Sequence, residues 1–288
     1  MMYEQWYPAP AKLNLMLRVI GQRDDGYHLL QSVFQFLDLR DDLHFASAPS
    51  GVFRSFGGPA GLAPEKELTL RAARLLAERC GVREGVEITL RKHLPEGGGV
   101  GGGSSDAATT LLVLNHLWNC ALSRAELISL GATLGADVPI FLFGRSAWAE
   151  GIGEILQPMP PIPELPYLLV HPGVSVATAE IFRAPELTRQ HPPSTISAFL
   201  GGEQENTLEP LVRSRYPVIA ECIDWLRAQG LRNARLTGSG ACCFAEVPEE
   251  TANGVLLDRL PASWRGWLVR GCNRHPLLEL LPEIPAGA

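Results

Sequence analysis

The amino-acid sequence predicts an α+β protein built from two domains. Apolar and polar residues alternate at 11–20 and 86–90, which is typical of strands with one buried face. After residue 68, apolar residues instead recur at helical spacing. Five prolines at 157–166 interrupt these patterns and mark the expected boundary. The expected domains are therefore an N-terminal one, 1–158, and a C-terminal one, 159–288.

The chain opens with a predicted hairpin or meander. The apolar residues at 13, 15, 17 and 19 alternate with Lys12, Asn14 and Arg18, so that Lys12 and Asn14 point together from the opposite face of the strand. An Asp-Gly pair then signals a turn, and a second apolar run follows at 33–39. Residues 48–64 are rich in Gly, Pro and Ala and are expected to form a loop.

Helix signals recur along the rest of the chain. One helix is predicted to start near Leu68, and residues 123–126 have the S-x-x-E pattern of a capping box. In the C-terminal half, Pro217 is expected to start a helix that Gly230 ends. Residues 235–246 predict a strand, a tight glycine turn and a second strand.

Composition excludes several classes of protein. The 288-residue chain is 46% hydrophobic and 19% charged, which suits a folded globular protein and not a disordered one. The net charge of −6 argues against a broad nucleic-acid surface. The N-terminus has no secretory signal pattern, and no apolar run approaches the roughly 18 residues of a membrane span. We therefore expect a cytoplasmic protein with neither membrane nor nucleic-acid partners.

The six cysteines form no C-x-x-C pair and mostly lie within apolar runs, so we expect reduced thiols that pack as small core residues. They are Cys80, Cys120, Cys222, Cys242, Cys243 and Cys272.

The most unusual segment is a glycine-rich loop between a predicted strand and an apolar helix. Six of the seven residues at 97–103 are glycine. Ser104, Ser105 and Asp106 follow and are good N-cap types. Free N–H groups and the positive end of the helix dipole make such a helix start an anion site. The segment therefore predicts a phosphate-binding loop.

Three other interpretations of this loop are possible. The Walker A motif fails because no lysine follows the glycines. A dinucleotide-binding fingerprint matches Gly97, Gly99 and Gly102, but no ribose-binding acid stands about 20 residues further on. A flexible linker would rarely be bracketed so tightly by a strand and an apolar helix. The remaining interpretation is a phosphate loop of the kind found in small-molecule kinases.

Five segments, in order over most of the chain, resemble the GHMP kinases, and within them the family that acts on a CDP-linked methylerythritol. They are residues 8–39, 94–108, 134–154, 171–182 and 235–246. The resemblance implies a two-domain GHMP kinase fold with a ribosomal-S5-like N-terminal domain and a ferredoxin-like C-terminal domain. It also implies transfer of the γ-phosphoryl group of ATP to the 2-hydroxyl of the methylerythritol moiety, a step of the non-mevalonate isoprenoid pathway. Mg²⁺ would arrive with the nucleotide, and no tightly held structural metal is expected.

The resemblance implies a role for each of several residues. Asp137 would be the general base that accepts the proton of the substrate hydroxyl. Lys12 would lie beside it and offset the negative charge that develops during transfer. Without the resemblance, Asp137 would be taken as a turn or cap residue and Lys12 as a solvated lysine. Asn14 would hydrogen-bond the substrate.

The cytidine end of the substrate would be held by residues that stack on the pyrimidine or contact its edge. They are Tyr27, His28, Phe34, Thr178 and Phe182, of which Phe34 is almost as readily explained as core. The triphosphate would be held by Pro95, Glu96, Gly97, Gly98, Gly99, Val100, Gly101, Gly102, Gly103, Ser104 and Ser105. A second glycine turn, which would close on the site, consists of Gly238, Ser239 and Gly240.

One position departs from the family pattern. Where the family has an asparagine that contacts adenine, this chain has Glu67. A carboxylate can accept a hydrogen bond from the adenine amino group but cannot donate one to a ring nitrogen. The sequence leaves open two alternative functions, another GHMP kinase or a non-catalytic nucleotide-binding relative, and it leaves the oligomeric state unknown.

Overall fold

The computed structural model describes residues 2–59, 61–252, 254–282 and 284–285. Two long strands, β1 (Met2–Gln22) and β2 (His28–Ala48), form the predicted antiparallel hairpin. Both are longer than the apolar runs of the sequence indicate. The register shifts on either side of the pairs that join Lys12 to Phe36 and Asn14 to Phe34. Such bulges re-aim side chains locally.

The remaining strands extend this hairpin into one sheet. They are β3 (Phe53–Phe56), β4 (Gly85–Arg91), β5 (Ala147–Glu150), β6 (Ile155–Pro158), β7 (Pro166–His171), β8 (Arg232–Leu236), β9 (Cys243–Glu246) and β10 (Arg265–Cys272). The strand order is β3-β4-β2-β10-β7-β9-β8; outside this order, β1 and β5 pair with β2, and β6 pairs with β5. All neighbouring pairs are antiparallel except β3 and β4. Because β10 pairs with both β2 and β7, the sheet is continuous through both halves of the chain.

Helices cover this sheet in both halves. They are α1 (Leu68–Cys80), α2 (Gly102–Leu117), α3 (Arg124–Ala132), α4 (Val138–Phe143), α5 (Thr178–Arg183), α6 (Ile196–Leu200), α7 (Glu209–Arg215), α8 (Pro217–Ala228) and α9 (Val255–Asp258). The helix that follows the glycine loop, α2, is buried at every position from 105 to 115. It packs against α1, α4 and β1, so the loop before it is held in a fixed place.

Local sequence signals explain where several helices begin and end. Gly81 ends α1 in the left-handed conformation at φ +67°. Ser123 and Glu126 form both hydrogen bonds of the predicted capping box at the start of α3. Pro217 is the first residue of α8, and Gly230 follows its end at φ +76°. The expectations for the capping box, Pro217 and Gly230 are confirmed.

The expectation of a loop over 48–64 is partly wrong, because residues 53–56 form β3. This four-residue strand lies at the sheet edge and pairs in parallel with β4. Its side chains alternate between half-buried and exposed. So short an edge strand is stabilised by its neighbour and leaves little local signal.

Apolar side chains form one core in the first half, one in the second half and one between them. The C-terminal segment returns to the first half, where Leu277 joins its core. The division between residues 158 and 159 stays a prediction. All six cysteines are free, and three of them are buried. Among the helices of the described residues, none has both the length and the apolar character needed to cross a bilayer.

Candidate active site

The glycine loop runs between β4 and α2, and its glycines allow the backbone to approach other parts of the chain closely. At Gly99, with φ +71°, a Cβ atom would lie 2.5 Å from the carbonyl oxygen of Thr237. At Gly101, with φ +78°, it would lie 2.8 Å from the Phe141 ring. No larger residue fits either place without displacement, so both glycines are required by packing as well as by backbone conformation.

The helix start differs from the expected N-cap. Gly101 is the N-cap residue, and Ser104, Ser105 and Asp106 therefore lie inside the first turns of α2. The expectation that these three act as caps is wrong, because the left-handed Gly101 turns the chain into the helix earlier. Ser105 N–H donates to the Gly101 carbonyl at 2.8 Å. The N–H groups of the three helical residues before Ser105 are those that a helix leaves free.

A lysine and an aspartate meet beside this loop. Lys12 Nζ lies 3.3 Å from Asp137 Oδ2 and donates to Asn14 Oδ1 at 2.6 Å and to the Gly99 carbonyl at 3.0 Å. The lysine is 2% exposed, whereas the aspartate side chain is 39% exposed. The Phe34 ring lies beneath the ammonium at 5.3 Å. The three acceptors and the ring hold the ammonium in one position.

The strand that carries Lys12 is fixed by its neighbours. Asn14 N–H donates to Thr237 Oγ1 at 3.0 Å, and Asn14 Nδ2 donates to Ser32 Oγ at 2.8 Å. Asn14 thus uses its side-chain oxygen for the lysine and its side-chain nitrogen for β2. Its position is determined by interactions on both sides.

Asp137 precedes α4 at the N-cap position, but its side chain makes no capping hydrogen bond. Pro139 lies in the first turn of that helix, where a missing N–H costs nothing. The carboxylate is therefore available to a ligand. Its accessible face and its fixed ammonium neighbour allow it to accept a proton from a bound hydroxyl.

Two cavities meet at this pair. The large cavity, of about 930 Å³, extends from Lys12 past Asn14 to Tyr27, His28 and Phe182. The small cavity, of about 440 Å³, follows the glycine loop toward α1. Both are lined by Gly99, Ser104 and Asp137. A molecule in one cavity can therefore pass a group to a molecule in the other.

The far end of the large cavity is aromatic. The His28 and Phe182 rings are 5.1 Å apart and inclined at 40°, and Tyr27 is 59% exposed nearby. Burial and the adjacent guanidinium of Arg189 lower the pKa of His28. Thr178 Oγ1 lies 2.7 Å from Ser239 Oγ on the cavity wall. Phe34, in contrast, is 3% exposed and belongs to the first core.

The second glycine turn is joined to the first by backbone hydrogen bonds. Ala241 N–H and Cys242 N–H donate to the carbonyls of Gly97 and Gly98, each at 3.0 Å. Asn206 Nδ2 donates to the carbonyl of Gly238 at 2.8 Å from the other side. Ser239 in this turn lines the large cavity.

A buried ionic cluster supports the loop from behind. Lys92 Nζ donates to Asp106 Oδ2 at 2.6 Å and also to Asp41, which accepts the Leu94 N–H at 2.9 Å. Burial raises the pKa of Asp106 to about 7, despite the nearby ammonium. Its other oxygen, Oδ1, has no hydrogen-bond partner among the described residues. The cluster connects β2, the segment before the loop and α2.

Comparisons with known proteins agree with this geometry. The family models for the N-terminal and C-terminal domains of GHMP kinases match residues 67–145 and 185–266. The 4-diphosphocytidyl-2-C-methyl-D-erythritol kinase of Nitrosococcus oceani is 51% identical over 96% of this chain and 98% of its own length. The enzyme of that name from Azoarcus sp. is 51% identical over 95% and 96%. This chain belongs to the 4-diphosphocytidyl-2-C-methyl-D-erythritol kinase family.

Solved structures agree with the assignment to this kinase family. A crystal structure of 4-(cytidine 5'-diphospho)-2C-methyl-D-erythritol kinase superimposes with a TM-score of 0.79 at 38% identity, covering 93% of this chain and all of that one. A mevalonate kinase structure has a TM-score of 0.68 at 15% identity over 94% and 100% of the two chains, and this shows a common fold alone. The predicted two-domain GHMP kinase fold is confirmed.

The position that departs from the family pattern lies in the small cavity. Glu67 lines that cavity just before α1. Thr69 Oγ1 donates to its Oε1 at 2.8 Å, and Ser55 Oγ donates to its Oε2. Both carboxylate oxygens are thus engaged by hydroxyl groups of the chain. A base that contacts Glu67 has to share these oxygens.

Sequence reasoning missed several residues of this kinase site. Ser32 and Thr237 fix Asn14, and Arg189 bonds to His28, but each lies far away in sequence. The cluster of Lys92, Asp41 and Asp106 was missed for the same reason. No spacing rule links such residues, and only the fold brings them together.

Proposed function

We propose that this chain transfers the γ-phosphoryl group of ATP to the 2-hydroxyl of 4-diphosphocytidyl-2-C-methyl-D-erythritol. The observation that carries the proposal is the Lys12–Asp137 pair at the junction of two cavities. Phosphoryl transfer needs a donor and an acceptor in line, with charge stabilisation between them. The small cavity suits the donor, and the large cavity suits a long acceptor.

Asp137 accepts the proton of the attacking hydroxyl, because its carboxylate is accessible and is not used to cap α4. Lys12 keeps the carboxylate in place and offsets the negative charge on the reacting oxygens. Because the ammonium is buried, its field at the reacting atoms is screened less than it would be in water.

GHMP kinases take their phosphoryl group from ATP, and the glycine loop is the part of this chain suited to the triphosphate. The free N–H groups at the start of α2 and the positive end of its dipole favour anionic oxygens. We assign the loop residues 95–105 to triphosphate binding and Gly238, Ser239 and Gly240 to closing the site.

Mg²⁺ is proposed to arrive with ATP. In the described part of the chain, no three His, Cys, Asp or Glu side chains cluster as a protein cage for a metal. Ser104 lines both cavities and offers a hydroxyl oxygen, which fits a Mg²⁺ ion that keeps most of its oxygen ligands from phosphate and water. When bound, the ion would neutralise charge on the phosphate oxygens.

The acceptor is proposed to lie along the large cavity. Asn14 lies next to the Lys12–Asp137 pair, close to the expected position of the reacting hydroxyl. Tyr27, His28, Phe182 and Thr178 lie at the opposite end, where a pyrimidine can stack and form hydrogen bonds. Phe34 also lines the cavity, and its contact with the Lys12 ammonium suggests that it supports the catalytic end instead.

We also propose that the chain works in the cytoplasm on small dissolved substrates, without nucleic-acid partners. Its net charge of −6 disfavours polyanion surfaces outside the site.

A coupled ADP-release assay with Mg-ATP tests the function. The acceptors to compare are the CDP-linked methylerythritol, methylerythritol phosphate, galactose and mevalonate. Turnover with the CDP-linked compound alone supports the reaction and the pyrimidine end of the cavity. Turnover with a base-free alcohol would overturn the acceptor. ATP binding without any turnover would indicate a non-catalytic relative.

A further inference from the structure

Arg189 connects the aromatic end of the large cavity to the end of α5. Its Nε donates to His28 Nε2 at 3.0 Å. Its terminal nitrogens donate to the carbonyls of Ala184 at 2.7 Å, Leu187 at 3.1 Å and Phe182 at 3.4 Å. In the part of the chain that the structure describes, no carboxylate pairs with this guanidinium. Its contacts thus serve to place His28 and the end of α5 relative to each other.

The contact with Arg189 determines which nitrogen of His28 carries the proton. A guanidinium can only donate hydrogen bonds, so His28 Nε2 has to accept. A neutral imidazole that accepts at Nε2 carries its proton on Nδ1. Burial and the guanidinium both lower the pKa of His28, which favours this neutral form.

The protonated Nδ1 remains available to a ligand. Among the described residues it has no hydrogen-bond partner, and it is not one of the fully buried polar atoms. The ring lines the large cavity beside Phe182, at 5.1 Å between centroids. The cavity therefore offers an N–H donor next to a surface on which a flat base can stack.

This donor distinguishes the two common pyrimidines. N3 of cytosine has a lone pair and accepts a hydrogen bond, whereas N3 of uracil carries a hydrogen and donates. An Nδ1–H group can donate to N3 of cytosine, whereas in uracil it would face the N3–H group, which is also a donor. The opposite tautomer would reverse this preference.

We propose that Arg189 is a specificity-determining positioning residue, which holds His28 as an N–H donor and so selects cytosine over uracil in the acceptor. The inference rests on the proposed function and deepens it. Arg189 itself touches His28 and the backbone near the cavity, and its effect on the base passes through the imidazole.

The test measures CDP and UDP binding to the full-length protein by calorimetry. We expect CDP to bind at least about 10-fold more tightly, the effect of replacing one hydrogen bond by an unpaired donor. Arg189→Gln offers an amide that can donate or accept, so either tautomer of His28 is allowed. The ratio of CDP affinity to UDP affinity, the CDP/UDP ratio, should therefore fall about 10-fold. Arg189→Met removes every donor and should lower the ratio similarly, which provides a second variant should one fold poorly.

Two controls separate this effect from a structural one. Arg183 lines the same cavity, and Arg183→Gln should change CDP and UDP binding equally, leaving the ratio as it was. In a His28→Asn background, Arg189→Gln should cause no further change in the ratio, because the arginine acts through the imidazole.

Nitrogen NMR of the labelled protein reports the tautomer directly. The wild-type spectrum should show the proton of His28 on Nδ1, and Arg189→Gln should shift the population toward Nε2. A proton on Nε2 in the wild type, or an unchanged CDP/UDP ratio in both arginine variants, would overturn the inference alone. Failure of the protein to bind CDP at all would overturn the proposed acceptor, and the inference with it.

Discussion

The buried carboxyl of Asp106 should make the protein less stable as the pH rises, and Asp106→Asn should abolish that effect. The carboxyl is buried, and burial raises its pKa from 3.8 to about 7. Between these values the folded state holds a proton that the unfolded state has released. The free energy of unfolding therefore decreases by up to about 1.4 kcal/mol per pH unit.

The magnitude follows from the two pKa values. From pH 5 to pH 7 this carboxyl should remove about 2 kcal/mol from the free energy of unfolding. His275 acts in the opposite direction, because burial lowers its pKa from 6.5 to about 3, and its contribution to stability is lost as the pH falls. The comparison of variants is therefore the test, and the wild-type curve alone is not.

The assay is urea denaturation at half-unit steps from pH 5 to pH 8. Between pH 5 and pH 7, the wild type should lose about 2 kcal/mol of unfolding free energy relative to Asp106→Asn. Asp258→Asn, at an exposed aspartate of α9, is the matched control and should follow the wild type. Parallel curves for Asp106→Asn and wild type would refute the assignment of a raised pKa to Asp106.

Three further predictions concern the site. Asp137→Asn should keep CDP binding and reduce kcat by about 10²-fold to 10⁴-fold, and near-normal turnover would contradict its role as base. Gly99→Ala should weaken ATP binding and lower the melting temperature, since its Cβ would lie 2.5 Å from the Thr237 carbonyl; unchanged values would show that the loop can relax. Phe182→Ala should raise KM for the CDP-linked substrate about threefold to tenfold, whereas an unaltered KM would remove Phe182 from the base site.

Periodicity predicted the parts of the site that lie on regular elements. Lys12 and Asn14 face the same cavity because they are two residues apart on a strand, as the alternating pattern indicates. The glycine loop was predicted as well, because so many glycines before an apolar helix are costly without a close contact. The sequence signals of this strand and of the glycine loop are strong because they arise from the backbone conformation itself.

Contacts between distant segments could not be predicted in the same way. Asp41, Lys92 and Asp106 come from three segments, and their mutual distances depend on how α2 packs against the sheet. Arg189 lies in an irregular stretch without periodicity, so nothing in the sequence links it to His28. The start of α2 was misplaced because the left-handed Gly101 fits the N-cap without the side chain that the rules favour.

The hydrogen bonds and the ion pair of Lys12 limit how its ammonium can contact a phosphoryl group. An ammonium has three N–H donors, and here Asn14, Gly99 and Asp137 are near enough to take all three. A phosphoryl oxygen can therefore bond directly to Lys12 only by displacing one of them. The Asp137 side chain is 39% exposed, and in its proposed role it would become less negative once it accepts the hydroxyl proton. With the proposed roles, proton transfer to Asp137 would free the ammonium for the phosphoryl oxygens as their charge develops, and the two side chains would act in one step.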